Sequence, residues 1–311
     1  MGFLHRPVMV PEVLASLKCH AGGVYLDATV GGGGHAYEIL KSSSPNGLLI
    51  GIDADSDAIE EAKKRLAPFG DRVVLLKDNF TAMGTILKNA GIDKVDGILL
   101  DLGVSSYQLD NASRGFSFTL EAPLDMRMDR SQGPSAYDLI HALSREKLGK
   151  IIRDYGEEKM AGRIARTIVR QRAISSIRTT TELADIVAKA ALKKGAASRI
   201  HPATRTFQAL RIAVNDELGN LKRALDYSVD LLNIGGRFSV ISFHSLEDRI
   251  VKNTFSEKEK GCICPPDVPF CVCGRKPTLK IITKRPIVPD KDEIKENPRA
   301  RSAKLRTAER I

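Results

Sequence analysis

Four carboxylates, Asp27, Asp53, Asp78 and Asp101, each close a short apolar run that reads as a buried strand. In an open parallel sheet such acids stand together at the carboxyl edge, where ligands bind. After Asp27 come Ala28-Thr29-Val30, four glycines (Gly31, Gly32, Gly33 and Gly34), then His35-Ala36 and a helical pattern. Glycines let a backbone approach a ligand closely, and the helix start offers unpaired N–H groups. Gly31-x-Gly33-x-x-Ala36 also fits a dinucleotide fingerprint, and a flexible turn would look the same. Asp27 discriminates between these readings. A carboxylate at that point repels a pyrophosphate but suits a ligand carrying an ammonium or a sulfonium. This points to S-adenosylmethionine. Asp53 lies 20 residues beyond Gly33, the spacing at which an acid in a βαβ unit reaches ribose hydroxyls. In Asp78-Asn79-Phe80 an apolar ring and polar groups offer a seat for adenine, although Phe80 would also serve as ordinary core.

The elements that position these residues follow from periodicity. Runs at Tyr25–Asp27, Gly47–Asp53, Arg72–Lys77 and Val95–Gly103 alternate with helical stretches such as Ser56–Leu66, capped by Asp55 or Ser56. The fold expected is α/β, a Rossmann-like sheet wound with helices. Ahead of it, Pro7 and Pro11 bracket an extended piece, with a short helix after Pro11. That piece fits either a lid over the site or packing on the sheet. After Gly103 the pattern breaks into a long polar loop, and from about Ser135 to Arg211 it is helical. Residues 145–211 hold 16 Lys and Arg against 6 Asp and Glu, a surplus equal to the +10 of the whole 311-residue chain. Around 159–172, Met160, Ile164 and Ile168 form one stripe and Arg163, Arg166 and Arg170 another. A solvated helix face explains one such stripe, but concentration of the surplus here favours a grip on nucleic acid. A helix from His201 runs toward Leu232 and stops at Gly235-Gly236, and a fifth strand follows at Arg237–Phe243. His244 then reads as structural or substrate-facing rather than as a metal ligand. Leu279–Thr283 reads as a last strand, and the basic tail from Lys295 either touches phosphates or stays mobile. The domains expected are 1–110 with 212–311 for the cofactor and 111–211 as a helical, basic insert for substrate.

No apolar run approaches the ~18 residues that span a bilayer, and Met1–Pro7 lacks the apolar stretch of a signal peptide. The five cysteines fit a reducing cytoplasm. Four of them, Cys262, Cys264, Cys271 and Cys273, form two C-x-C pairs. Zinc is one use for these, but C-x-C strains chelation of a single ion. Reduced thiols or a redox pair are preferred, and no metal is assigned to the site.

Several longer motifs carry a resemblance. They include His5-Arg6-Pro7-Val8-Met9, the Asp27–His35 loop, Asp101-Leu102-Gly103-Val104-Ser105-Ser106-x-Gln108-Leu109-Asp110 and Arg114-Gly115-Phe116-Ser117-Phe118. Others are His201–Arg211, Ser242-Phe243-His244-Ser245-Leu246-Glu247-Asp248-Arg249 and Asn297-Pro298-Arg299-Ala300-Arg301-Ser302. Nearly end to end, the chain resembles the ribosomal RNA small subunit methyltransferase H family. The resemblance implies methylation of the exocyclic amine of one cytidine in the decoding region of 16S rRNA, with S-adenosylmethionine as cofactor. It implies naked 16S rRNA or the 30S subunit as partner, with monomer and homodimer both open. By motif position it puts cofactor contacts on Gly33, Gly34, His35, Asp53, Phe80, Asp101 and Gln108, and Asp101 is the candidate catalytic residue. A nicotinamide-dependent dehydrogenase would share the glycines and Asp53 but neither needs Asp27 nor explains the basic insert. A non-catalytic assembly factor would need the basic surface but not the acids along one sheet edge.

Overall fold

The computed structural model describes residues 7–191, 201–265, 270 and 272–311, apart from the Ser106 side chain. In chain order the strands are β1 (Val24–Asp27), β2 (Leu48–Asp53), β3 (Val73–Lys77), β4 (Val95–Asp101), β5 (Leu232–Ser242), β6 (Leu279–Ile281) and β7 (Lys304–Arg310). The helices are α1 (Val10–Leu17), α2 (Gly34–Ser42), α3 (Ser56–Leu66), α4 (Met83–Asn89), α5 (Ser106–Asp110), α6 (Ala136–Ala142) and α7 (Arg145–Gly156). They continue with α8 (Ala161–Arg172), α9 (Thr180–Ala191), α10 (Ala203–Asn215), α11 (Glu217–Ser228), α12 (Ser245–Lys260) and α13 (Lys291–Glu296). The chain divides into two compact units, 1–103 with 218–311, and 104–217.

The first unit holds one sheet in the order β3-β2-β1-β4-β5-β7-β6. β1 to β5 run parallel, and β7 is antiparallel to both β5 and β6. The strand order reverses between β1 and β4, so the carboxyl ends of β1, β2 and β4 open together at a switch point. One core, with Leu26, Ile98, Leu100 and Phe238, covers one face of the sheet, and a second, with Tyr25, Ile39, Leu99 and Leu305, covers the other. These runs are near-continuously apolar because the parallel strands are buried on both faces. The segment before α1 packs into the second core through Val8 and Met9. His5 and Arg6 lie outside the described residues.

Two expectations about the C-terminal part are corrected. Of the basic tail from Lys295, Arg299 and Arg301 are exposed, whereas its last stretch is β7, inserted beside β5, with Arg237 opposite Glu309 and Ile241 opposite Leu305. The cations of β7 are spent internally: the Arg306 guanidinium donates to Asp248 at 2.6 and 3.3 Å, and Arg310 donates to the carbonyls of Val229, Asp230 and Leu232. The helix expected from His201 toward Leu232 is two helices, broken at Asp216, which sits at φ 46°. β5 then begins at Leu232, so Gly235 and Gly236 lie inside a strand.

The second unit has its own core, built by Leu124, Ile140, Leu148, Ile152, Ile164, Ile168, Leu183 and Leu210. Val104, Leu109 and Val214 pack against it. For that reason the units divide at 103/104 and 217/218 rather than at 110/111 and 211/212. On α8, Ala161, Ile164, Ala165 and Ile168 face this core while Arg163, Arg166 and Arg170 are exposed. Arg172, one turn on, is structural: it donates to the carbonyls of Ile140 and Leu143.

Candidate active site

The site grows from the turn between β1 and α2. Gly33 stands at φ 77° as the N-cap of α2, and a Cβ there would lie 3.3 Å from the Ala62 Cα of α3. Only glycine combines that left-handed backbone with so close an approach of two helices. Gly34 is the first residue of α2, so its amide belongs to the unpaired N–H groups of the helix start. The Asp53 carboxylate braces the turn from β2, accepting from the Gly31 amide at 2.9 Å and the Asp55 amide at 2.9 Å. Burial raises its pKa to about 6 against these amide donors.

Asp27 and Asp101 end the adjacent strands β1 and β4. Asp27 is 1 % exposed, accepts from the Thr29 amide through Oδ1 at 3.3 Å, and has no hydrogen-bond partner at Oδ2. Asp101 likewise has no partner at Oδ1. Burial pushes both acids up to about 7; for Asp27 the His35 ring opposes this, and for Asp101 the Glu247 charge adds to it. His35 is buried with Nε2 2.8 Å from the Val8 carbonyl and Nδ1 3.6 Å from Asp101 Oδ2. Burial lowers its pKa, which favours neutral imidazole. Nε2 then donates to Val8, and the Nδ1 lone pair faces Asp101. The packed N-terminal segment thereby fixes the ring that stands beside the acid.

Phe80 follows β3 on a single turn whose cap is Asn79, and its ring packs partly buried against the core. Tyr227 clamps this turn by donating to the Thr81 carbonyl at 2.7 Å. Gln108 belongs to the second unit, where it is buried and closes a capping box with Ser105 at the start of α5. His244 serves as N-cap of α12, closing a capping box with Glu247. Hence Gly33, Gly34, His35, Asp53, Phe80 and Asp101 share the first unit, and Gln108 does not.

Sequence reasoning missed Thr29, whose hydroxyl accepts the Asp101 amide at 2.6 Å and whose own amide holds Asp27. Its place between an acid and the glycines was the available signal. Glu293, which accepts the Met9 amide at 2.6 Å and so pins the N-terminal segment, had no local signal at all.

A sequence profile of the MraW methylase family matches residues 2–311. The chain belongs to this family. Among its relatives, "Ribosomal RNA small subunit methyltransferase H" of Syntrophus aciditrophicus is 59 % identical over 99 % of this chain and 98 % of its own. The protein of the same name from Geotalea uraniireducens is 56 % identical over 99 % of both chains. That of Clostridium botulinum is 53 % identical over the full length of both.

Proposed function

We propose that this chain transfers a methyl group from S-adenosylmethionine to the exocyclic N4 amine of one cytidine in the decoding region of 16S rRNA, acting in the cytoplasm on naked 16S rRNA or the 30S subunit. The observation that carries this reading is the pair of buried acceptors without hydrogen-bond partners, Asp27 Oδ2 and Asp101 Oδ1, on neighbouring strand ends. Such oxygens are costly unless a ligand satisfies them. The donor set fits: acids for a cation, a glycine turn and helix start for close backbone approach, and Phe80 for a flat ring. Gly33, Gly34, His35, Asp53, Phe80 and Asp101 are the residues assigned to hold the cofactor.

Bound S-adenosylmethionine supplies an electrophilic methyl on a sulfonium centre. Asp101 orients that charge and accepts an N–H of the incoming amine. The lone pair of a cytosine amine is delocalised into the ring, and an acceptor on its hydrogens favours the pyramidal nitrogen that attacks. The base must leave any stack to enter the site. The exposed cations of the second unit, among them Arg163, Arg166 and Arg170, hold flanking phosphates.

Methyl transfer from radiolabelled S-adenosylmethionine to 30S subunits and naked 16S rRNA from cells lacking the gene tests the reaction. Label recovered as N4-methylcytidine is expected, and label in any other nucleoside would refute the assignment. Two further results are expected. Affinity for S-adenosylmethionine rises between pH 6 and pH 8, because Asp27 and Asp101 must lose protons held to about pH 7 before they complement a cation. Calorimetry in buffers of different protonation enthalpy detects the proton release, and a flat affinity over that range would contradict the assignment. RNA binding weakens with salt, and replacing Arg163, Arg166 and Arg170 with Gln reduces the log–log slope by about 2. An unchanged slope in filter binding would remove α8 from the interface.

A further inference from the structure

Among its described residues, the loop between α12 and β6 has no apolar core. Ile263, Phe270 and Val272 are exposed, the last two at 81 %. The base of the loop is nevertheless closed. Thr278 donates its amide to the Lys258 carbonyl at 3.0 Å, and Ile281 to Glu259 Oε1 at 2.7 Å. Gly261, at φ 68°, leaves so little room that a Cβ would lie 2.4 Å from the Pro277 nitrogen. Two arms therefore leave this neck side by side, one carrying Cys262 and Cys264, the other Cys273. The described residues of this long loop have neither secondary structure nor much apolar burial to offset their ordering entropy.

The three sulfurs supply what the loop lacks. The Sγ atoms of Cys262, Cys264 and Cys273 all lie within 4.8 Å of one another, and those of Cys262 and Cys273 are 3.9 Å apart. A tetrahedral ion with sulfurs at about 2.3 Å sets them about 3.8 Å apart. The Val272 amide donates to Cys264 Sγ at 3.4 Å. The objection from C-x-C spacing concerns one pair closing on an ion alone. Here the second arm delivers a third sulfur from across the neck, which relieves it.

We propose that Cys262, Cys264 and Cys273 bind one Zn2+ as thiolates, with a fourth position open to another donor, and that this ion fixes the loop in place of a core. Soft thiolates select zinc over hard cations. Binding energy of this kind is folding energy for the segment that carries the ligands. The ion takes no part in methyl transfer. Cys271 lies outside the described residues.

The test is elemental analysis of full-length protein purified without chelators, together with Co2+ exchange. About one equivalent of zinc per chain is expected, and sulfur-to-cobalt charge-transfer absorption after exchange. Cys262→Ser and Cys273→Ser should each lose at least ten-fold in zinc content, while S-adenosylmethionine affinity stays within two-fold, showing that the sheet unit still folds. Cys19→Ser keeps its zinc. In the proteolysis readout, removing zinc from wild-type protein with a chelator makes cleavage between Lys260 and Lys276 at least ten-fold faster. Less than a tenth of an equivalent, with no uptake on titration with Zn2+, would overturn the proposal. So would a Cys262–Cys273 disulfide found by mass spectrometry in protein prepared under reducing conditions.

Discussion

Asp101→Asn is expected to lower methyl transfer by about 10²- to 10³-fold, the range in which loss of one preorganised electrostatic contact falls. The substitution keeps shape and one acceptor oxygen but removes the charge that complements a sulfonium. Affinity for S-adenosylmethionine should therefore fall along with turnover. Full turnover with unchanged affinity would remove Asp101 from the mechanism. The same variant carries a second, opposite signature. Burial and the neighbouring Glu247 hold the Asp101 pKa near 7, whereas an unfolded carboxyl titrates near 4. Between those values the folded chain keeps a proton that the unfolded chain releases, so ionisation opposes folding as pH rises. Without ligand, Asp101→Asn should raise the melting temperature at pH 8, and the gain should vanish below about pH 4, where both states are protonated. A residue chosen for packing would show loss of activity and loss of stability together. Here the two move apart, as expected where a site holds a charge for its ligand at the expense of the fold.

The carboxyl edge was legible because its signals are local. Apolar runs ending in acids set β1, β2 and β4, and 20 residues between Gly33 and Asp53 are fixed by one helix and one strand. That Asp53 spends both oxygens on the Gly31 and Asp55 amides was not legible, since it depends on how the turn folds back. β7 was missed for another reason. Lys304, Arg306 and Arg310 read as a basic tail until Asp248 and the carbonyls near β5 give them partners more than 50 residues away. The boundary of the second unit moved to 103/104 because Val104 and Leu109 are apolar residues of an otherwise polar loop, and their destination is a core made mostly of residues after 115. With the cysteines, the motif was visible but its three-dimensional use was not. Spacing along one arm says nothing about a sulfur arriving from the other.

Arg114→Met is expected to destabilise the second unit strongly. Arg114 is 1 % exposed, the bulkiest of the fully buried side chains. Its Nη2 donates to the carbonyls of Arg127 and Met128 at 3.0 and 2.9 Å, and its own carbonyl accepts the Met126 amide at 3.0 Å. Asn215 grips the same short stretch, donating to the Met126 carbonyl and accepting from the Met128 amide, each at 2.8 Å. Met126 itself sits at φ 62°, a left-handed conformation that a non-glycine residue keeps only when its surroundings enforce it. Removing the guanidinium leaves two carbonyls without their donor, at about 1–3 kcal/mol each, so a loss of about 2–6 kcal/mol follows. Met replaces most of the stem, so the deficit is chiefly polar rather than a cavity. Arg114→Lys should recover only part of it, because the lysine stem is shorter and its ammonium stops one bond short of the Nη2 position that reaches both carbonyls. The Arg114-Gly115-Phe116 motif is thereby a clasp for residues 126–128 rather than a surface for substrate. Hydrogen exchange separates the two roles. The clasp requires faster exchange at 114–128 in the variant, with protection of β1, β4 and β5 unchanged. Unaltered exchange in that loop with reduced RNA affinity would place Arg114 on the substrate instead.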